Sequence, residues 1–74
     1  MDTDLNHILI FATNIKTLSD KQKIAGLLDV NPAIQQWSID QEDIDCVLRI
    51  VSPTLSVNQL IAIVNQYHFE CKEL

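Results

Sequence analysis

Residues 36–51 read QWSIDQEDIDCVLRIV, and the rest of the fold can be built outward from them. Trp37 and Ile39 alternate with Gln36, Ser38 and Asp40, the period of a strand with one buried face. Gln41-Glu42-Asp43 is a polar turn, and Ile44 to Val51 returns to β-branched and aliphatic residues. The stretch is therefore a hairpin. On both sides of it the period changes. Upstream, Ile24, Leu27 and Leu28 stand at i, i+3, i+4 behind Ser19 and Asp20, which suit an N-cap or a first turn, so a helix is expected over about 18–29. Asn31-Pro32 stops it, because the residue before a proline is displaced from the α region. Downstream, Ser52-Pro53 breaks the strand. Val57, Leu60, Ile61 and Val64 then resume helical spacing with Ser56 as N-cap, giving a second helix that ends near Tyr67. One step further out, His7 to Ile15 (HILIFATNI) and Phe69 to Glu73 read as strands. The order β-α-β-β-α-β predicts a ferredoxin-like α+β sandwich. Two helices would lie on one face of a four-stranded antiparallel sheet in the order 4-1-3-2, which satisfies right-handed crossovers.

Seventy-four residues leave room for one domain, expected over 7–74, with 1–6 (MDTDLN) as a flexible tail. A hydrophobic content of 47%, with one Gly and two Pro, is that of a core-forming chain and not of a disordered one. The longest apolar run, Ile8 to Ala12, is far short of the roughly 18–20 residues of a membrane span, and no signal-peptide pattern is present. Ten acidic against five basic residues give a net charge of -5, which opposes nucleic-acid and anionic-membrane binding. A secreted domain of this size would normally carry several disulfides, and only Cys46 and Cys71 are present, so a cytoplasmic location is expected. In the expected topology those cysteines lie two strand spacings apart, about 9–10 Å, beyond the ~7 Å reach of a disulfide. They are expected to be free thiols in the core.

Enzymatic patterns are lacking. The one glycine, Gly26, lies in a helix, so there is no phosphate-cradling loop, and neither a Cys-His nor a Ser-His-Asp arrangement has a signature spacing. A ferredoxin-like acylphosphatase would need an arginine after the first strand, and the sole arginine is Arg49. Asp40, Glu42, Asp43 and Asp45 crowd one turn. That turn lacks the glycine at position six and the glutamate at position twelve of an EF-hand, so it reads as a solvated acidic turn. No enzyme and no cofactor are expected.

From His7 to Leu74 the chain resembles the heavy-metal-associated domain of copper chaperones and metal-pumping ATPases. Asn31-Pro32-Ala33-Ile34 stands where that family has its Leu-Pro-Gly-Val turn, and His68-Phe69 where it has a Gly-Tyr step into the last strand. Its Met-x-Cys-x-x-Cys loop falls on Ile15-Lys16-Thr17-Leu18-Ser19-Asp20, with Thr17 and Asp20 in the cysteine positions. The resemblance therefore implies the fold with a degenerate metal site, since a hydroxyl and one carboxylate do not replace two thiolates for a soft ion. It also implies that Tyr67 and His68 approach Thr17 and Asp20. Asp20 and His68 become candidates for a harder divalent ion, the plain alternatives being a helix-capping aspartate and a solvated histidine.

In the family alignment Ile8, Ile10 and Ala12 point to the helices and Leu9 and Phe11 away from them. Leu48 and Ile50 would point inward, and Val47, Arg49 and Val51 outward. Leu9, Phe11, Val47, Arg49 and Val51 are then the expected anchors of an apolar, uncovered sheet face, a surface that commonly meets a protein partner or a second copy. A one-residue error in phase would invert the assignment. The expected function is that of a small non-catalytic binding protein. The alternatives are a metal-handling protein with a non-thiolate ligand set, and small-molecule regulation in the manner of ACT-like domains.

Overall fold

The computed structural model describes residues 7–74, so the tail expected over 1–6 lies outside the described residues. Six elements follow one another: β1 (Ile8–Thr13), α1 (Leu18–Leu28), β2 (Gln36–Asp40), β3 (Val47–Val51), α2 (Val57–Asn65) and β4 (Cys71–Glu73). All strand pairs are antiparallel and the sheet order is β2-β3-β1-β4. Read from the other edge this is the ferredoxin-like 4-1-3-2.

Both helices begin on a capping box. Thr17 Oγ1 accepts from the Asp20 N–H at 2.9 Å, and Asp20 Oδ2 accepts from the Thr17 N–H at 3.2 Å. At α2 the pair is Ser56 and Gln59, joined at 3.2 and 2.8 Å. Each box satisfies two backbone donors that have no partner inside the helix. Thr17 is thus the N-cap, α1 starts at Leu18 as expected, and Ser19 and Asp20 fall in its first turn. At its other end Asp29 puts a negative charge where the helix dipole disfavours one. There the Trp37 indole N–H donates to Asp29 Oδ1 at 2.7 Å, which ties β2 to the end of α1.

The third strand begins three residues later than expected. Asp40 Oδ1 accepts from the Glu42 N–H at 3.1 Å and Asp43 Oδ1 from the Asp45 N–H at 2.8 Å. These aspartates compete with the ladder for the backbone and keep residues 41–46 in a turn. Ile44 stands 93% exposed on that turn, and Cys46 adopts a left-handed φ of 44°. Where the ladder slips, Thr13 takes up the loose groups. Its N–H donates to the Asp45 carbonyl at 2.9 Å, its hydroxyl donates to the Cys46 carbonyl at 2.6 Å, and the same oxygen accepts from the Ile15 N–H at 3.3 Å.

The core joins Phe11, Ile15, Leu48 and Ile50 to Ile24 and Leu28 of α1 and to Leu60 and Val64 of α2. This corrects the expected phase of β1. Phe11 is fully buried and Leu9 packs against the same cluster, so neither lies on the open face. Pairing is the physical reason. Leu9 lies opposite Ile50 and Phe11 opposite Leu48, and directly paired residues share a face of the sheet. Leu48 and Ile50 do point inward as expected. Cys46 is buried, Cys71 is half-buried against the core, and both are free thiols.

Candidate functional site

With the phase set by pairing, the side of the sheet away from the helices can be read row by row. At one end Gln36 and Ile8 flank Val51. In the middle Ser38 and Ile10 flank Arg49, and the Leu74 N–H bonds the Ile10 carbonyl at 3.0 Å, which continues the row. At the other end Asp40 pairs with Val47 and Ala12 with Lys72. One further step in the β1–β3 register sets Val47 beside Ala12. The face therefore has an aliphatic centre spread over its two inner strands. Polar β2 lies along one edge and Lys72 on the other.

Exposure separates the members of this centre. Ile10 is 37% exposed and Leu74 60%, Ile8 and Val51 are half-buried, and Val47 is buried at 7%. Arg49 is exposed among them, and a hollow of about 260 Å³ opens beside it, walled by Ile8, Gln36, Ser38 and Val51. Of the anchors expected from sequence, Val47, Arg49 and Val51 lie on this face, and Leu9 and Phe11 do not. Ile8 and Ile10, which the expected phase assigns to the core, belong to this face, and Leu74 joins it through its bond to Ile10. Charge is also unevenly placed. Arg49 lies in the aliphatic centre, Asp40 and Lys72 hold opposite edges of one row, and Asp45 and Glu70 line a hollow beside Ala12 and Lys72, on a chain whose net charge is -5.

The loop between β1 and α1, where the family resemblance places metal-binding cysteines, is organised around backbone groups. Asp20 Oδ2 accepts from the N–H groups of Lys16 and Thr17, both at 3.2 Å. Partial burial raises the Asp20 pKa. The backbone donors of Thr17 and Lys16, the Thr17 side chain and the charge of Lys23 together outweigh this and hold it below its ordinary 3.8. Gln41, on the hairpin turn, donates through Nε2 to the carbonyls of Ile15 at 3.3 Å and Thr17 at 2.8 Å. No local pattern in the sequence marks this clamp. The segment before β4 does reach the loop, and it does so through the Glu70 N–H, which donates to Asn14 Oδ1 at 2.8 Å.

His68 is exposed with a left-handed φ of 66°, and its N–H closes on the Asn65 carbonyl at 2.9 Å, reversing the chain after α2. Among the described residues no three His, Cys, Asp or Glu side chains converge as a metal site would require. A second hollow of about 220 Å³, between β1, β4 and the hairpin turn, is lined by Ala12, Thr13, Asp45, Glu70, Cys71 and Lys72. Burial pushes the Cys71 thiol up to about 11, so it is protonated and a poor nucleophile at neutral pH. No helix among the described residues is long and apolar enough to cross a membrane.

Comparison of the chain with protein-family models, with curated proteins and with solved structures returns no match.

Proposed function

We propose that the protein is a small non-catalytic binding protein on a framework resembling the heavy-metal-associated domain, and that it works in the cytoplasm by protein contact through its open sheet face. The observation that carries this is the exposed Ile10 on a central strand, with Ile8 and Val51 half-buried around it and Arg49 across the ladder. An aliphatic patch with one planar cation is the composition of a protein-contact surface, because arginine combines directional donors with weak hydration. The chain's overall negative charge weighs against a nucleic-acid role. Ile10→Glu tests the reading. It is expected to leave the melting curve nearly unchanged while abolishing association through this face. A photo-crosslinker at position 10 is expected to label a protein that the same group at Lys23, beside the start of α1, does not. A folded Ile10→Glu protein with unaltered association would refute the proposal.

The framework resemblance is supported by two positions. His68, in the family's glycine position, has the left-handed backbone that glycine favours. Thr17 and Asp20, in the cysteine positions, lie within hydrogen-bonding distance at a helix start. Thiolates placed there would be close together and favoured by the helix terminus. Thr17→Cys combined with Asp20→Cys is therefore expected to give a folded protein that takes up one Cu(I) or Zn(II). A folded double variant that takes up neither reduces the resemblance to shared topology.

A further inference from the structure

We infer that the occupant of the open sheet face is a second copy of this chain, packed face to face about a two-fold axis running along the strands. The inference rests on the reading of that face as the working surface. It is carried by the register of the charges.

Two sheets that pack face to face in a closed pair are related by a two-fold axis lying between them. If that axis runs along the strands, the edges of the sheet are exchanged and the rows are kept. Strand β2 then lies over the partner's β4, and β3 over the partner's β1. Asp40 and Lys72 occupy the two edges of one row, through Val47 and Ala12. Asp40 thus faces the partner's Lys72, and by symmetry Lys72 faces the partner's Asp40. Packed sheets stand about 10 Å apart, a gap that a lysine stem and an aspartate can bridge. In the middle row Arg49 meets the partner's Ile10, and at the far end Val51 meets the partner's Ile8.

An axis across the strands does the reverse. It keeps the strands over themselves and inverts the rows, so Arg49 is set against its own copy at the centre. Asp40 then faces the partner's Gln36. Two guanidinium groups held together away from water repel, and neither edge charge finds an opposite. Of these two axes, only the one along the strands sets Asp40 against Lys72. An unrelated partner would need neither the placement of Asp40 and Lys72 at opposite ends of one row nor an arginine off the axis. The aliphatic area is modest and each copy carries five negative charges in excess, so the dimer is expected to be weak.

Sedimentation equilibrium over a range of concentrations, at low ionic strength, tests this. Wild type is expected to pass from monomer to dimer by a few hundred micromolar. Lys72→Glu sets like charges together at both contacts and is expected to weaken dimerisation about tenfold. Asp40→Asn keeps the side-chain carbonyl that accepts from the Glu42 N–H, so the turn is retained and only the charge is lost. Alone it should weaken the dimer by a smaller factor, and added to Lys72→Glu it should recover part of the loss, because coupled residues do not add. Wild type that remains monomeric at half-millimolar would overturn the inference, and so would losses that add without recovery. If the wild type is monomeric but position 10 crosslinks a different protein and Ile10→Glu abolishes that, the second copy is wrong and the binding face stands. A dimer unaffected by Ile10→Glu removes both.

Discussion

The two faces of β1 are made of nearly the same material and have opposite fates. Phe11 is fully buried and Leu9, itself only partly buried, packs against the same core, whereas Ile8 and Ile10, on the other face of the strand, look outward and keep part of their surface in water. Hydrophobicity does not separate them, since Ile8 to Ala12 is apolar throughout. What separates them is their partners across the ladder. Leu48 and Ile50 on β3 alternate with charged Arg49, and that alternation gives β3 a phase which it passes to β1 by direct pairing. A central strand can take its orientation from its neighbour.

Breaking this comparison at the buried side should produce the largest effect. Phe11→Glu forces a charge into the core and is expected to unfold the domain, and Phe11→Ala to cost about 3–5 kcal/mol. A chain of this length has a total stability of roughly 4–11 kcal/mol. Ile10→Glu, one residue away, should shift a urea midpoint very little. Circular dichroism melts of the two variants side by side check the contrast, and equal losses would mean that both faces of the strand are buried.

A smaller effect is expected at Thr13, where the strand ends and one hydroxyl serves the Cys46 carbonyl and the Ile15 N–H. Thr13→Val keeps the shape and leaves both groups without that partner, at a cost of about 1–3 kcal/mol in chemical denaturation. Thr13→Ser should recover most of it. The smallest effect concerns the cover on the buried face. The folded Asp20 has a pKa below 3.8, so its contribution to stability is complete above the unfolded value and is lost as pH falls through the lowered folded one. Melting temperatures measured from pH 6 down to pH 2 should fall less in Asp20→Asn than in wild type over the acid end of that range. Identical slopes would show that the capping box of α1 contributes nothing through its charge.

Much of this fold was legible because the apolar period changes at every element boundary. Ile24, Leu27 and Leu28 declare a helix, and Trp37 and Ile39 a half-buried strand. The N-cap of α1 could have been found from Thr17-x-x-Asp20, a capping-box spacing hidden behind the equally plausible Ser19. Ile44 misled because a β-branched residue between two aspartates resembles the start of a strand, and only the side-chain-to-backbone bonds of Asp40 and Asp43 show the turn. The candidate face was half legible. Val47, Arg49 and Val51 follow from the alternation of β3, but the contribution of β1 required a long-range register that the uniform run Ile8–Ala12 does not encode.

That same uniformity has a cost during synthesis. Strand β1 leaves the ribosome before the strands it pairs with, Leu48–Val51 and Cys71–Glu73. At about 5–20 residues per second, the interval between the emergence of Ile8 and that of Val51 is on the order of 2–9 s. Throughout it, an uncharged aliphatic stretch of high strand propensity has no ladder to join. Such a segment invites a holding chaperone or pairing with another nascent chain, and the central position of β1 in the finished sheet is what conceals it afterwards.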